Sequence, residues 1–473
     1  MNTDTAELAI AERTSEPRVR LATGPGSLDE ARMAAVRDTW RALWSSRLLI
    51  WVAGVGTLVA FGFGPVRNAF NPPGVTRGFG WLGDLLAAPA ARWDSDWYLV
   101  IAHWGYRPDL GALTATRSAF FPLYPLGLRA ISWGGVPLVA AGVLFSLVAF
   151  ALALYGIHRL TTLELSRGGA FSLGARDRRI AQLTVMLMAF APMGFFFSAV
   201  YSESLFLALT VALFWSARHG RWALVGVLGA LAGATRSTGL VLVVPALILY
   251  LYGPREDRPA DIPMERSGGR SGALRAALAR LRPRYRVRRD ILWLALLPAG
   301  FLLYGVWLAL SGGDLFTPFH AEQSWGRHFV GPYLGVWDGL RAAFDGARQL
   351  LSFQREHVYF AIASGSPFIV AGHNLMLFAF LLAAVPVIVG VFRTLPLAYG
   401  AYVLAALALP LSYPVIAQPL MSLPRYMVVL FPLCMWLARW LAAHPRAVRP
   451  ALAVSALLMA FFAAQFATWH WVA

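Results

Sequence analysis

The 473-residue sequence contains no lysine and a single cysteine. Charged residues make up only 14% of the chain. Because Cys434 stands alone, no disulfide can form within the chain and a cysteine metal site is excluded. The histidines also lack the close H-x-x-x-H spacing of metal ligands. The sequence therefore offers neither a disulfide framework nor a recognisable metal-binding motif.

Apolar residues dominate instead, at 58% of the chain, and the mean hydropathy is +0.58. A water-soluble domain of this size needs far less apolar surface for one core. The 41 basic residues are all arginine and, against 24 acidic residues, give a net charge of +17. They cluster in loops beside apolar segments, as the positive-inside rule expects, so nucleic-acid binding explains the charge poorly. The composition predicts an all-α polytopic membrane protein.

Residues 1–46 are predicted to form a cytoplasmic tail that carries an amphipathic helix. Residues 1 to about 26 are polar and favour a disordered tail over a signal peptide, whose apolar region would begin earlier. Ser27 and Glu30 form a capping-box pattern. Apolar residues then recur at helical spacing beside arginines: Met33, Val36, Trp40, Leu43 and Trp44 beside Arg32, Arg37, Arg41 and Arg47. This helix either lies on the cytoplasmic leaflet or extends the first membrane span, with the same sidedness in both cases.

Residues 47–473 are predicted to form a transmembrane domain with roughly 10–12 helices, and apolar windows of about 20 residues give roughly 11 crossings. The arginines before Leu48 place the loop 65–119 outside. The loop 253–290 is predicted to be cytoplasmic because it is the most basic stretch of the chain, and the span that follows it places the large loop 312–357 outside. The short apolar segment 120–134 is interpreted as a half-helix or re-entrant segment. A full crossing there would place the next arginine-rich loop outside, against the positive-inside rule.

Two carboxylates, Asp94 and Asp96, stand in the first outer loop directly after an apolar segment. Aromatic residues surround them: Trp93, Trp97, Tyr98, Trp104 and Tyr106. Acidic residues beside membrane segments are costly and are usually retained for function. The structural alternative for Asp94 is an N-cap of a helix from about Ser95 to Trp104. The stretch predicts an acidic site at a membrane surface.

Further polar motifs fall on the same predicted outer face, at the ends of spans. They comprise Tyr201 and Glu203, Arg236, the segment from Asp314 to Arg327 with His320 and Gln323, and Gln418 with Arg425. Polar groups that converge on one face at the ends of spans indicate a cavity that opens to that side. Such a cavity suits catalysis on a membrane-borne substrate.

These motifs, in this order, resemble the GPI mannosyltransferase 2 (PIG-V type) family of GT-C fold glycosyltransferases. The matching residues are Trp93-Asp94-Ser95, Gly105-Tyr106, Phe120-Phe121-Pro122, Tyr201-Ser202-Glu203, Ala234-Thr235-Arg236-Ser237 and Pro424-Arg425-Tyr426. The resemblance implies transfer of mannose from a polyprenyl- or dolichyl-phosphate mannose to a lipid-linked glycan acceptor on the non-cytoplasmic side, with Asp94 as the catalytic base. The large outer loop departs from the family pattern, because Gly313-Asp314-Leu315 stands where Gly-Asp-Pro is expected.

The chemistry of such a transfer needs one essential acid. Inversion at the sugar carbon requires a base for the acceptor hydroxyl, whereas the phosphate leaves without a general acid. Asp94 is the predicted base and Asp96 a second acid without a firm counterpart. Arg236 and Arg425 suit the departing phosphate, since the guanidinium fork matches its oxygens. The alternative for both arginines is membrane anchoring or an ion pair with an acid such as Glu203.

The remaining candidates have less specific roles. Glu203 either orients an arginine or caps the following helix. Tyr201, His320, Gln323 and Gln418 are predicted to bind or orient substrate, and the alternative for the loop residues among them is a solvated surface. The expected partners are membrane lipids, the polyprenyl-phosphate sugar donor and a glycolipid or glycan acceptor. No tightly bound cofactor and no nucleic acid are expected.

The use of arginine with abundant alanine and glycine is typical of a GC-rich bacterial genome, which makes a bacterial plasma membrane the expected location. A transporter or flippase for a polyprenyl-linked lipid is the main alternative, and it predicts charges near mid-span and an internal repeat with paired broken helices. A GT-C enzyme that uses another polyprenyl-phosphate sugar, or a non-catalytic assembly subunit, would share many of these motifs.

The predicted sidedness can be tested with introduced cysteines. A cysteine near Ser267 should be protected from an impermeant thiol reagent in intact cells, because the basic loop is cytoplasmic. A cysteine near Ser324 should be labelled. Labelling of position 267 from outside would overturn the sidedness.

Overall fold

The computed structural model describes residues 25–62, 72–76, 80–106, 116–165, 174–261, 282–363 and 365–472. Within these ranges the chain forms α- and 3₁₀-helices and no β-strand, apart from one isolated antiparallel bridge between Arg327 and Val415. The predicted all-α class is confirmed. Residues 1–24 of the predicted tail and 262–281 of the predicted basic loop lie outside the described residues.

The α-helices are numbered along the chain. They are α1 (Pro25–Phe61), α2 (Pro73–Thr76), α3 (Gly80–Ala87), α4 (Ser95–Trp104), α5 (Leu123–Ser132), α6 (Leu138–Leu165), α7 (Ala175–Ala189), α8 (Glu203–Arg218), α9 (Trp222–Gly233), α10 (Val243–Tyr252), α11 (Ala299–Leu310), α12 (Thr317–His320), α13 (Pro332–Ser352), α14 (Pro367–Thr394), α15 (Leu397–Leu411), α16 (Leu423–Val428), α17 (Phe431–Ala443) and α18 (Pro445–Ala467). The 3₁₀-helices are Ala88–Ala90, Gly194–Phe197, Ser237–Leu242, Arg289–Leu296 and Ala321–Trp325.

Four of these helices, α1, α6, α14 and α18, are long and apolar enough to cross a membrane. The pair Arg289–Leu296 and α11, bent by 43°, makes a fifth candidate span. Helices α9, α15 and α17, and the segment Ser237–Tyr252, are apolar but shorter than a full span. The protein is therefore a polytopic membrane protein, and the number of roughly 11 crossings stays a prediction.

Helix α1 joins the predicted amphipathic segment and the first span into one continuous helix. Continuity favours the alternative in which the amphipathic segment extends the span. Arg47, expected as a flanking charge, is instead fully buried. Its guanidinium donates hydrogen bonds to the carbonyl oxygens of Ala189 (2.9 Å) and Gly194 (3.0 Å) and to Ser198 Oγ (2.7 Å). Arg47 thus satisfies backbone groups that become free where α7 ends.

The predicted half-helix at 120–134 corresponds to α5, which has 10 residues. At about 1.5 Å per residue it is ~15 Å long, about half of a ~30 Å hydrocarbon layer. It packs against α6, where Tyr124 Oη lies 2.8 Å from Ser146 Oγ. The dimensions agree with the half-helix interpretation. Tyr124 also packs edge-on against Tyr98 of α4, so α5 lies beside the segment that carries the candidate site.

Candidate active site

Four charged side chains from distant parts of the chain meet at the ends of helices. Asp94 precedes α4, Glu203 begins α8, Arg236 precedes the 3₁₀-helix Ser237–Leu242 and Arg425 lies in α16. Arg425 Nη1 donates a hydrogen bond to Asp94 Oδ2 at 2.5 Å. Glu203 Oε1 lies 3.3 Å from Arg425 Nε and 2.5 Å from Arg236 Nη1. We call these four residues the acid–arginine cluster.

Glu203 stands at the centre of the cluster. Glu203 is 1% exposed. It forms ion pairs with both arginines, but the geometry of these contacts does not meet the criteria for hydrogen bonds. A buried carboxylate is costly unless it is paired, so the two guanidinium groups account for its presence. No side-chain capping bond is described at the start of α8. The geometry favours the orienting role of Glu203 over the capping role.

Asp94 occupies the N-cap position of α4, but its side chain makes no capping hydrogen bond and contacts Arg425 instead. The preceding Trp93 has a positive φ of 59°, which is uncommon for a residue with a side chain. Tyr201 Oη accepts a hydrogen bond from the Asp94 N–H and donates one to the carbonyl of Arg92, both at 3.1 Å. Tyr201 therefore fixes the backbone that carries Asp94, which is a positioning role.

The cluster opens into a cavity of about 100 Å³ that Asp94, Arg236 and Arg425 help to line. The other lining residues are Tyr98, Ala119, Phe120, Phe121, Thr235, Ser237, Thr238, Glu322, Trp325, Arg327, Met421, Ser422, Tyr426 and Trp471. The side chains of Asp94 and Arg425 are 17% and 11% exposed. A ligand in the cavity can therefore reach Asp94 together with the guanidinium groups of Arg236 and Arg425.

Asp96 does not share this site. It is fully buried, it does not line the cavity, and neither carboxylate oxygen has a hydrogen-bond partner among the described residues. Burial raises the pKa of Asp96 to about 8, although the charge of Arg92 acts in the opposite direction. Asp94 and Asp96 are two residues apart in sequence, but they lie in different environments.

Three other predicted residues, His320, Gln323 and Gln418, also lie outside the cavity lining. The side chain of His320 is 59% exposed and its Nδ1 lies 3.3 Å from Asp314 Oδ2. Asp314 also accepts a hydrogen bond from the N–H of Phe316 in its own turn. These contacts belong to an exposed turn, as the solvated-surface alternative expects.

Glu322, Trp325 and Arg327 belong to the predicted outer segment from Asp314 to Arg327 and line the cavity, whereas the substrate ligands predicted within that segment were His320 and Gln323. Residues three apart eclipse each other in a 3₁₀-helix, so Glu322 and Trp325 share one face of Ala321–Trp325. Burial raises the pKa of Glu322, and the nearby Arg327 opposes the shift. Arg327 Nε lies 3.4 Å from Glu322 Oε2, and the guanidinium donates to the carbonyls of Tyr413 (3.1 Å) and Met421 (3.2 Å). The sequence gives no signal that separates this pair from His320 and Gln323, which are also three residues apart.

The described residues contain no group of three or more His, Cys, Asp or Glu side chains placed to hold a metal ion. Within the cluster, each carboxylate is instead engaged by an arginine. Arg236 and Arg425 each contribute a planar guanidinium fork to the cavity lining. Two such forks at the edge of a cavity are suited to an anion such as phosphate.

The fold and the site define a polytopic all-α membrane protein with a charged cavity at the ends of its helices. Residues 69–250 match the family model described as Mannosyltransferase (PIG-V). The matched range contains Asp94, Glu203 and Arg236 but not Arg425. The family resemblance drawn from the sequence motifs is confirmed.

Curated relatives match a part of the chain that is similar in length to the family match. The GPI alpha-1,6-mannosyltransferase 2 proteins of Rattus norvegicus and Cricetulus griseus are 32% identical over 189 residues and 34% identical over 184 residues. The protein of the same name from Mus musculus is 32% identical over 187 residues. The matched segment covers 37% of this chain and 34% to 35% of each relative, so the match spans about a third of the relatives' length. No solved structure matches the chain.

The burial of Asp96 predicts a pH-dependent stability. Between the usual aspartate pKa of 3.8 and the folded-state pKa of about 8, the folded chain holds a proton that the unfolded chain has lost. The free energy of unfolding should therefore fall as the pH rises from about 4 to about 8, by an amount on the order of a few kcal/mol, and then level off. Asp96→Asn is neutral at every pH and should lack this loss. The test is the thermal unfolding of the wild type and of Asp96→Asn in detergent at pH 5 and at pH 8. An equal change in unfolding temperature between the two pH values in both proteins would contradict the raised pKa of Asp96.

Proposed function

We propose that the chain is a mannosyltransferase that moves mannose from polyprenyl-phosphate mannose to a hydroxyl of a lipid-linked or glycan acceptor, with inversion at the sugar carbon. The observation that carries the proposal is the contact between Asp94 and Arg425. It places a candidate base beside a candidate phosphate ligand in one cavity. The PIG-V family match and the names of the relatives support the sugar and the reaction class.

Asp94 is the proposed general base. The acceptor oxygen forms a bond to the anomeric carbon of mannose while the bond from that carbon to the phosphate oxygen breaks. The acceptor proton passes to Asp94, and the phosphate departs as an anion that needs no proton. One carboxylate at the cavity is sufficient for this chemistry. Asp96 lies away from the cavity, and Glu322, the other carboxylate in the lining, is paired with Arg327.

Arg236 and Arg425 are the proposed ligands of the departing phosphate. Glu203 contacts both guanidinium groups and so holds them near each other. The pairing of Arg425 with Asp94 has a further consequence. A donor phosphate that binds Arg425 competes with Asp94 for the same cation, which leaves the carboxylate available to accept a proton. Donor binding would thereby prepare the base.

A second, apolar cavity of about 390 Å³ supports an isoprenoid carrier. It lies between α4, α5 and α11 and is lined by Pro122, Leu126, Ala234, Leu303 and Trp307, among others. Pro122 and Ala234 directly follow or precede residues of the charged cavity, namely Phe121 and Thr235. A phosphate at the arginines and an apolar chain in this groove are compatible with one lipid-linked donor.

The wall formed by Glu322 and Trp325 is the proposed sugar-binding side of the cavity. A carboxylate can accept hydrogen bonds from sugar hydroxyls, and an indole ring offers a flat apolar face. We further propose that the cavity faces away from the cytoplasm, since the arginine-rich loops are cytoplasmic by the positive-inside rule. A flippase would transport the lipid without transferring the sugar, so a transfer assay separates the two functions.

Replacement of arginine by lysine tests phosphate recognition. Arg236→Lys and Arg425→Lys keep the charge but lose the planar fork, so transfer activity should fall about 10-fold or more while the amount of protein in the membrane stays the same. Transfer is measured in membranes with labelled polyprenyl-phosphate mannose. Arg341→Lys, on the exposed surface of α13, is the matched control. Full activity in both Arg236→Lys and Arg425→Lys would mean that these arginines serve only as membrane anchors or as ion-pair partners of acids such as Glu203.

The central test of the proposed reaction is Asp94→Asn. The variant keeps the size of the side chain but cannot accept the proton, and general bases contribute on the order of 10²–10⁴-fold to rate. Sugar transfer in membranes supplied with labelled polyprenyl-phosphate mannose should therefore collapse while the protein level survives. Asp96→Asn is the internal control and should reduce sugar transfer much less than Asp94→Asn. The reverse order of losses would assign the base to Asp96, and no transfer by the wild type would reject the enzyme in favour of a transporter.

A further inference from the structure

Helix α13 has two faces of opposite character. One face consists of small residues packed against the protein, and the glycines there are in close contact with their neighbours. A Cβ added to Gly335 would lie 1.7 Å from the carbonyl oxygen of Leu411, and one added to Gly339 would lie 2.7 Å from Leu420 side-chain atoms. Only glycine permits this approach, so the position of the helix on the protein is fixed.

The contacts of α13 locate it at the site end of the bundle. Leu411 is the last residue of α15, and Gly346 approaches the carbonyl oxygen of Ala371 in the first turns of α14. Leu420 stands shortly before α16, which carries Arg425. Helix α13 therefore contacts the first turns of α14 and the last residue of α15, at the same end as the acid–arginine cluster.

The opposite face of α13 is apolar and exposed. Tyr333, Trp337, Leu340, Phe344 and Leu351 are 89%, 55%, 42%, 63% and 74% exposed. At about 100° per residue these five side chains fall within an arc of roughly 60°. Four charged residues lie together on one flank of this arc: Asp338, Arg341, Asp345 and Arg348. The helix is thus protein-facing on one side, apolar on the other and charged between them.

We infer that α13 lies in the interface of the lipid bilayer on the side of the candidate active site. Its apolar face enters the boundary between headgroups and hydrocarbon, and its charged flank faces water. The four charged residues make the helix a poor candidate for a span, and it is absent from the helices that could cross a membrane. This inference is independent of the proposed reaction.

Lipid is the occupant that the surroundings favour. Helix α13 packs through Gly346 on Ala371 of α14, which is a candidate membrane span, and α14 also exposes the apolar Ile369 near its start. Trp337 and Tyr333 are of the type enriched at the bilayer interface. The charged flank contains two acids and two arginines and therefore has no net charge. The helix is thus held at the bilayer by insertion of its apolar face and not by attraction to anionic lipids.

The interfacial position of α13 affects the cavity, because α13 is connected to residues that line it. The wall residues Glu322 and Arg327 stand shortly before α13 in the chain, and Arg327 also donates a hydrogen bond to the carbonyl of Met421. Gly339 packs on the neighbouring Leu420. A helix anchored in the interface would therefore fix the position, relative to the bilayer, of the cavity wall that contains Glu322 and Arg327 and of the neighbouring segment at Leu420.

Site-directed spin labelling tests this position. In a Cys434→Ser background, nitroxide labels are attached to Leu340→Cys and Phe344→Cys on the apolar face and to Arg341→Cys on the charged flank as the matched control. The full-length protein is reconstituted in phosphatidylcholine liposomes. Oxygen, which concentrates in lipid, should relax the labels at 340 and 344 several-fold more than a water-soluble nickel chelate does. The order should reverse at 341.

Two results would overturn the inference. Strong relaxation by the nickel chelate at both 340 and 344 would place the apolar face in water. Shielding of both labels from both agents would mean that protein, either a second copy or another chain, covers the face. Two apolar positions are used so that loss of one variant through misfolding still leaves a decisive measurement.

Discussion

The ion pairing of Glu203 with two arginines is the interaction on which the site depends. Glu203 is buried at the start of α8, and its charge is balanced only where Arg236 and Arg425 reach it. Removing one member of a buried ion pair typically costs about 3–5 kcal/mol, because the other charge is left uncompensated. The cluster thereby ties four helix ends into one arrangement. The same arrangement presents Asp94 and two guanidinium groups to the cavity.

Backbone conformation completes this arrangement. Trp93 and Ser422 both adopt positive φ, at 59° and 68°, shortly before Asp94 and Arg425. Such conformations cost roughly 1–3 kcal/mol and persist where surrounding contacts over-determine them. Around Trp93 those contacts are the edge-on packing of Trp469 and Trp471 at 5.8 Å and 5.2 Å. The end of the chain thus supports the segment that carries the proposed base.

Much of this site could be predicted from sequence because charged groups at the ends of apolar spans must find partners. That constraint brought Asp94, Glu203, Arg236 and Arg425 together as candidates, and α4 has the bounds expected for it. Burial of individual charges was not predictable. Arg47 satisfies free carbonyls at the end of α7, and Asp96 turns into the core, because both depend on contacts between distant helices.

The loop contribution to the cavity was the least predictable part. Whether His320 or Glu322 faces the ligand depends on a single 3₁₀ turn, whose three-residue period differs from that of an α-helix. Trp471 carries no motif and enters the lining only through its packing with Trp93. Helix α13 likewise lies within a predicted loop, yet its glycine face determines where that loop sits.

The claim that the acid–arginine cluster recognises a lipid phosphate is tested most directly by ligand-induced stabilisation. The unfolding temperature of the purified protein is measured with increasing polyprenyl phosphate and, in parallel, with the uncharged polyprenol of the same length. A ligand that binds only the folded chain raises its stability with concentration. The account predicts a rise with polyprenyl phosphate, little change with polyprenol and loss of the difference in Arg236→Gln. Equal shifts with the two lipids in the wild type would show that only the apolar chain is recognised and would contradict the account.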